Sequence, residues 1–101
     1  MHLIQLLLPV VRTNESSSSD TLRRLRAELI ERFGGVTAFS RAPASGAWVD
    51  DDDRVVHDNV MIVEVMAEQL DREWWHQLRT RLEAELEQDA IVIRASGIEV
   101  L

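Results

Sequence analysis

Residues 60–66 read VMIVEVM, and this run decides the fold because it is apolar on both sides of a strand. Successive side chains of a strand point to opposite faces of its sheet. Met61, Val63 and Val65 therefore share a wholly apolar face, whereas the other face carries Glu64 among apolar neighbours. This pattern predicts a sheet with helices packed on one face and a second face that is mostly apolar as well.

Two runs near the ends of the chain repeat this pattern. Residues 3–10 and 90–94 predict a first and a fourth strand, and 55–66 predict the third. Each again has one face that carries a polar residue, which is Gln5 in the first strand and Arg94 in the fourth. We expect the helices to cover the wholly apolar set: Ile4, Leu6, Leu8, Met61, Val63, Val65, Ile91 and Ile93. The mixed set should face away: Leu3, Gln5, Leu7, Val60, Ile62, Glu64, Met66, Val92 and Arg94.

Helical periodicity fills the two gaps between these strands. After a serine-rich loop over residues 13–20, apolar residues recur at three and four positions up to Phe33, and Gly34 stands where a helix C-cap belongs. A second helix is predicted from an Asp71 cap to about Gln88, with Trp75 on its buried stripe. Residues 36–41 predict a second strand, 42–46 a turn, and 47–49 more extended chain.

The order of predicted elements is β-α-β-β-α-β, which is typical of an α+β ferredoxin-like sandwich. Its antiparallel sheet has the strand order 4-1-3-2 and carries both helices on one face. With 101 residues, we expect the chain to be a single domain over residues 1–101.

Composition excludes several classes of function. The chain has no cysteine, so it has no disulfide, zinc-thiolate site or thiol nucleophile. Its net charge of −7 disfavours nucleic-acid binding, and all its 11 basic residues are arginine. Residues 3–11 lack the flanks of a signal peptide and no run is long enough to span a bilayer, so we expect a cytoplasmic protein without membrane contact.

The face that the helices leave open is too apolar for a small monomer, and we expect it to form a homodimer interface. Gln5, Glu64 and Arg94 would then lie together inside it. One interpretation is a Glu64–Arg94 pair with Gln5 completing the hydrogen bonds. The alternative is a ligand cavity between the two sheets, with Glu64 as its functional carboxylate.

Other candidates for chemistry are weaker. Residues 50–53 read DDDD, but a calcium loop needs glycine at its sixth position and glutamate at its twelfth, where Val55 and Met61 stand. We therefore expect a solvated turn, no metal and no cofactor. His57 and Asp58 are adjacent, so on a straight strand they point to opposite faces and cannot pair as a catalytic dyad.

Three segments resemble a family of small uncharacterised bacterial ferredoxin-like proteins: residues 33–37 (FGGVT), 46–48 (GAW) with the acidic turn, and 55–58 (VVHD). The resemblance covers residues 33–66 and supports the fold, and it implies no activity. The topology is also similar to dimeric α+β barrel proteins, which include small monooxygenases and ligand-binding modules.

Two main hypotheses follow. The first is a homodimeric binding or regulatory module without a catalytic constellation. The second is a cofactor-independent small enzyme of the dimeric α+β barrel kind, with Glu64 as acid or base, Arg94 or Arg41 as an anion clamp, and Trp48 as a wall of the cavity. A third hypothesis is a subunit that docks onto a basic partner through its acidic turn.

Overall fold

The computed structural model describes residues 1–9 and 16–101, except for the side chains of residues 16–17, 40–46, 48 and 56–58. The elements follow the predicted order. They are β1 (His2–Pro9), α1 (Ser16–Phe33), β2 (Thr37–Val49), β3 (Val55–Ala67), α2 (Arg72–Glu85) and β4 (Val92–Gly97).

The four strands form one sheet in the order β2-β3-β1-β4, and every neighbouring pair is antiparallel. Read from the other edge, this is the predicted order 4-1-3-2, so the ferredoxin-like α+β fold is confirmed. The register places Leu7 opposite both Ile62 and Val92. β1 therefore lies in the middle of the sheet, between the strands that carry Glu64 and Arg94.

The core lies between the helices and one face of the sheet, as the alternation predicts. Leu6 and Leu8 are fully buried there, together with Leu29 of α1 and Leu82 of α2. The other members of the wholly apolar set are buried or packed against this core: Ile4, Met61, Val63, Val65, Ile91 and Ile93. Burial of these side chains is the main source of stability, at about 1.5–3 kcal/mol for a fully buried large aliphatic residue.

The C-cap of α1 and the N-cap of α2 follow the predicted chemistry. Gly34 has a φ of 81°, and its N–H donates to the carbonyl of Ile30 at 2.8 Å, which closes α1 in a left-handed conformation. The Asp71 side chain accepts a hydrogen bond from the backbone N–H of Trp74 at 3.2 Å, as an N-cap does. Neither α1 nor α2 is long and apolar enough to cross a membrane.

α1 begins earlier than the sequence predicts. The serine-rich segment was expected to be a loop up to Asp20, but Ser16–Asp20 already form the first helical turn. Serine is only weakly unfavourable inside a helix, so one turn of serines is tolerated where the following turns bury an apolar stripe. Asp20 also forms an ion pair with Arg23, which supports this turn.

The predicted turn at residues 42–46 is wrong. The backbone continues as one strand from Thr37 to Val49, and the pairing with β3 shifts its register between Phe39 and Ala44. β2 is an edge strand, where proline, glycine and a bulge are tolerated because only one side must pair.

Two other boundaries also differ from the prediction. α2 ends at Glu85, short of Gln88, and Glu87 adopts a φ of 53°. β4 runs from Val92 through Gly97, past the predicted end of this strand at Arg94, because residues 95–97 pair with residues 2–4 of β1. Residues 98–101 lie outside the sheet.

Candidate functional site

One row of polar side chains crosses the sheet face that points away from the helices, which we call the open face. Because alternate residues share a face, the register brings four positions into this row. Thr37 lies opposite Glu64, Glu64 opposite Gln5, and Gln5 opposite Arg94. The row therefore runs across all four strands. The acidic Glu64 lies on one side of the uncharged Gln5 amide, and the basic Arg94 lies on the other.

Gln5 connects the two charged residues of this polar row. Its Nε2 donates to Oε1 of Glu64 at 2.7 Å, and its Oε1 accepts from Nε of Arg94 at 2.8 Å. The sequence predicted that these three side chains meet, and one of its two interpretations was a Glu64–Arg94 pair with Gln5 completing the hydrogen bonds. The structure places β1 between the two charged strands, so Gln5 bridges them instead.

An apolar row lies next to the polar row on the same face. It consists of Phe39, Ile62, Leu7 and Val92, one from each strand. Phe39 and Val92 are 49% and 52% exposed, whereas Leu7 and Ile62 are half-buried. Thr37 and Phe39 were not among the residues predicted for this face. Their positions depend on the register of β2, although the alternation from Thr37 onward would have placed both on one face.

A cleft opens where β2 begins to pair with β3. The pairing starts at Thr37 and Glu64, so the last residues of β3 have no β2 residue beside them in the described register. The α1–β2 connection passes this gap and leaves a cleft of about 420 Å³, lined by residues that include Gly34, Thr37, Glu64 and Met66. Glu64 thus borders both the open face and this cleft.

The side chains of Arg41 and Trp48 lie outside the described residues. The backbone of Arg41 falls in β2 where the register shifts. Trp48 lies opposite Val56, which is eight residues from Glu64 along β3, or about 26 Å. The backbone of one protomer therefore does not bring Trp48 beside the polar row.

The acidic turn between β2 and β3 is organised by its own backbone. Oδ1 of Asp50 accepts hydrogen bonds from the N–H groups of Asp52 and Arg54, both at 2.9 Å. Asp53 has a φ of 59°, a left-handed conformation that aspartate tolerates better than most residues. These are the contacts of a tight strand connection. Among the described residues no group of three or more His, Asp or Glu side chains could hold a metal ion.

A cluster of rings closes one end of the core. Phe33 stacks on Trp75 at 5.3 Å between ring centroids, and Trp74 meets both rings edge to face. The guanidinium of Arg32 lies 4.4 Å from the centroid of Trp74 and also pairs with Asp71. Trp75 is buried, as its place on the predicted stripe requires, and Trp74 is half-buried, so both tryptophans are engaged in packing.

The sheet order and the two helices on one face define the chain as a small α+β protein of the ferredoxin-like class. Comparison with solved structures finds the same fold in a phage SAM lyase. The enzyme in complex with S-methyl-5′-thioadenosine has a TM-score of 0.55 at 16% identity, over 94% of this chain and 78% of that one. Its apo state gives a TM-score of 0.53 at 15% identity, with the same coverage.

These identities show a shared fold and no more. No protein-family model matches the chain, and no curated protein sequence matches it. The resemblance to a family of small bacterial proteins therefore stays a prediction, and the ferredoxin-like fold alone is confirmed.

Proposed function

We propose that the chain is a homodimeric binding module, and that a second copy covers its open face. The observation that supports this most directly is the apolar row. Phe39 and Val92 are each about half exposed at the two ends of this row, and Met66 is half exposed on the other side of the polar row. Soluble monomers rarely leave large contiguous apolar patches in water. Isologous pairing of two such faces would bury them with a single twofold operation.

The size of the open face is suited to this role. Four strands about 4.8 Å apart, over the eight residues of β1, span about 19 by 26 Å, or roughly 500 Å² in projection. The side chains that stand on the sheet make its accessible area larger than its projection. By its projection the open face therefore matches the smaller class of specific interfaces, which bury less than about 600 Å² on each partner.

Binding is favoured over catalysis because Gln5 holds Glu64 and Arg94 along the plane of the sheet. Both ends of the Gln5 amide are engaged, one with Glu64 and the other with Arg94. A catalytic site holds its polar groups toward the position of a reacting atom. Here the three groups are directed at one another along the sheet.

The cytoplasmic location expected from the sequence stays a prediction.

Sedimentation equilibrium at high micromolar concentration tests the dimer. We expect twice the 11.5 kDa mass of one chain. Leu7→Arg places a charge in the middle of the open face and should give a monomer with an unchanged circular dichroism spectrum. Ile30→Arg is the matched control, because Ile30 is 45% exposed on α1, and it should leave the dimer intact. A monomeric or trimeric wild-type chain would contradict the proposal.

A second candidate is an enzyme that uses the cleft beside Glu64. It is supported by the cleft itself and by the fold shared with a SAM lyase that was crystallised with S-methyl-5′-thioadenosine. In this alternative Glu64 is the acid or base and Arg94 or Arg41 holds an anionic group, whereas Trp48 lies too far along β2 to cover the same ligand within one protomer.

Calorimetric titration with S-methyl-5′-thioadenosine separates the two candidates. The enzyme hypothesis expects saturable binding that Glu64→Gln abolishes and that Glu31→Gln, an exposed change on α1, does not affect. If no heat of binding develops up to millimolar ligand, or if Glu64→Gln binds as well as the wild type, Glu64 has no such role toward this ligand.

A further inference from the structure

The polar row is asymmetric in charge about β1. Glu64 stands on β3 to one side, Arg94 on β4 to the other, and the neutral Gln5 lies on β1 between them. Each pair of neighbouring strands is about 4.8 Å apart, so the two charged positions are equidistant from β1. The adjacent row is apolar throughout. A surface with this arrangement accepts only some orientations of a second copy.

Two directions of a twofold axis stack two sheets face to face with their strands aligned, the arrangement common in β-sandwiches. An axis across the strands keeps every strand over its own copy, so Glu64 meets Glu64 of the partner subunit and Arg94 meets Arg94 of the partner subunit. Like charges that face each other across an interface cost several kcal/mol. Moving this axis away from the polar row sets charged groups against apolar ones, which leaves buried charges unpaired.

An axis parallel to β1 has the opposite effect. It exchanges the two sides of β1 and keeps each row at its level along the strand. Glu64 then meets Arg94 of the partner subunit, Gln5 meets its own copy, and the apolar rows face each other. Both axes keep the strand directions of the two sheets within the about 30° of aligned packing, so the charges decide between them. The axis passes along β1, which has two strands on one side and only β4 on the other. β2 therefore extends past the partner's β4, where Phe39 would cover the open edge of the partner's sheet.

The charged groups have capacity left for such a pairing. Arg94 uses its Nε toward Gln5, and its two terminal nitrogens have no partner among the described residues. Glu64 uses Oε1 toward Gln5, and no partner is found in the same part of the chain for Oε2. Arginine and carboxylate are the pair best suited to a charge-assisted hydrogen bond across an interface.

We propose that two copies associate about a twofold axis parallel to β1, with Glu64 of each protomer paired with Arg94 of the partner subunit. This proposal rests on the homodimer proposed above and adds its orientation. The charged pairs select the partner and the register, and the apolar rows supply the buried area.

Charge reversal tests the orientation. Glu64→Arg and Arg94→Glu each place like charges at both pairs of the homodimer and should weaken self-association at least about 100-fold. A mixture of the two variants restores opposite charges at both positions, so we expect a heterodimer of near wild-type affinity, which native mass spectrometry resolves by mass. Glu31→Arg and Arg79→Glu are exposed controls with the same changes in net charge, and both should dimerise alone.

The double variant Glu64→Arg/Arg94→Glu tests the same pairing if the single variants fail to fold. Its charges are exchanged within one chain, and the Gln5 amide can rotate to serve both, so it should fold and form a homodimer like the wild type. A double variant at least about tenfold weaker than the wild type overturns the proposed pairing.

The outcomes separate the orientation from the dimer itself. If the wild type dimerises and the single variants dimerise equally well, or if folded single variants fail to combine when mixed, the axis is wrong and the homodimer stands. If the wild-type chain is not a dimer, the proposed function fails first.

Discussion

The hydrogen bond between Gln5 and Glu64 should be measurable as a coupling free energy. A net contribution of about 1.5–3 kcal/mol is typical when one partner is charged. The bond is short, at 2.7 Å, but both side chains are half-buried and water competes for them. We therefore expect a coupling of about 1 kcal/mol, below the lower end of that range.

A double-mutant cycle measures the coupling free energy between Gln5 and Glu64. Gln5→Ala, Glu64→Ala and the double variant are unfolded in urea at one protein concentration, with tryptophan fluorescence as the signal. The loss of packing at each position and the loss of the Arg94 contact cancel in the cycle. A coupling of 1 kcal/mol corresponds to about 4–8 °C in Tm for a domain of this size. If the two single effects add within about 0.3 kcal/mol, the polar row is not held together as described.

Three further predictions concern stability. Leu82→Ala should lower the free energy of unfolding by about 2–5 kcal/mol in urea titration, because Leu82 is fully buried, whereas Ile30→Ala on the exposed side of α1 should stay within about 0.5 kcal/mol. Asp71→Ala removes the N-cap of α2 and should cost about 0.5–2 kcal/mol, which Asp71→Ser largely restores; equal melting temperatures for the two would contradict this. Calcium or EDTA should leave Tm unchanged in scanning calorimetry, because Oδ1 of Asp50 already accepts two backbone hydrogen bonds; a calcium-dependent rise would reveal a site there.

The alternation of side chains was sufficient to predict the two faces of the sheet. In β1 and β3 a shift of one residue would turn Gln5 and Glu64 into the core, where an unpaired charge is far too costly. Only one assignment of faces therefore agrees with burial. The strand order follows from the β-α-β-β-α-β plan, which is why the region of the candidate site could be predicted without a structure.

The position of Gln5 as a bridge was not predicted, although the predicted strand order already implied it. β1 lies between β3 and β4, so Glu64 and Arg94 are two strands apart, about 10 Å, and a direct pair would have to reach across Gln5. Hydrogen bonding along the row depends on register, and register depends on pairing between residues about 60 and 90 positions apart.

The missed boundaries have a common cause. Proline, glycine and serine at residues 42–46 favour a turn by local preference, and the same is true of the serines that open α1. Local preference is a weak term, and pairing with β3 or packing of α1 on the core outweighs it. Edge strands such as β2 and β4 tolerate these residues because one side of each strand is free of pairing.

On the open face, the strength of association and the choice of partner depend on two different rows of residues. Its apolar row supplies surface that is favourable to bury against almost any apolar partner, because the hydrophobic effect has no direction. Its polar row distinguishes partners, because opposite charges must meet at two fixed positions on either side of β1. A change at Leu7 should therefore weaken association without changing which partner is preferred. A change at Glu64 or Arg94 should change the preferred partner, and the heterodimer of the two charge-reversed variants is the form in which this difference becomes visible.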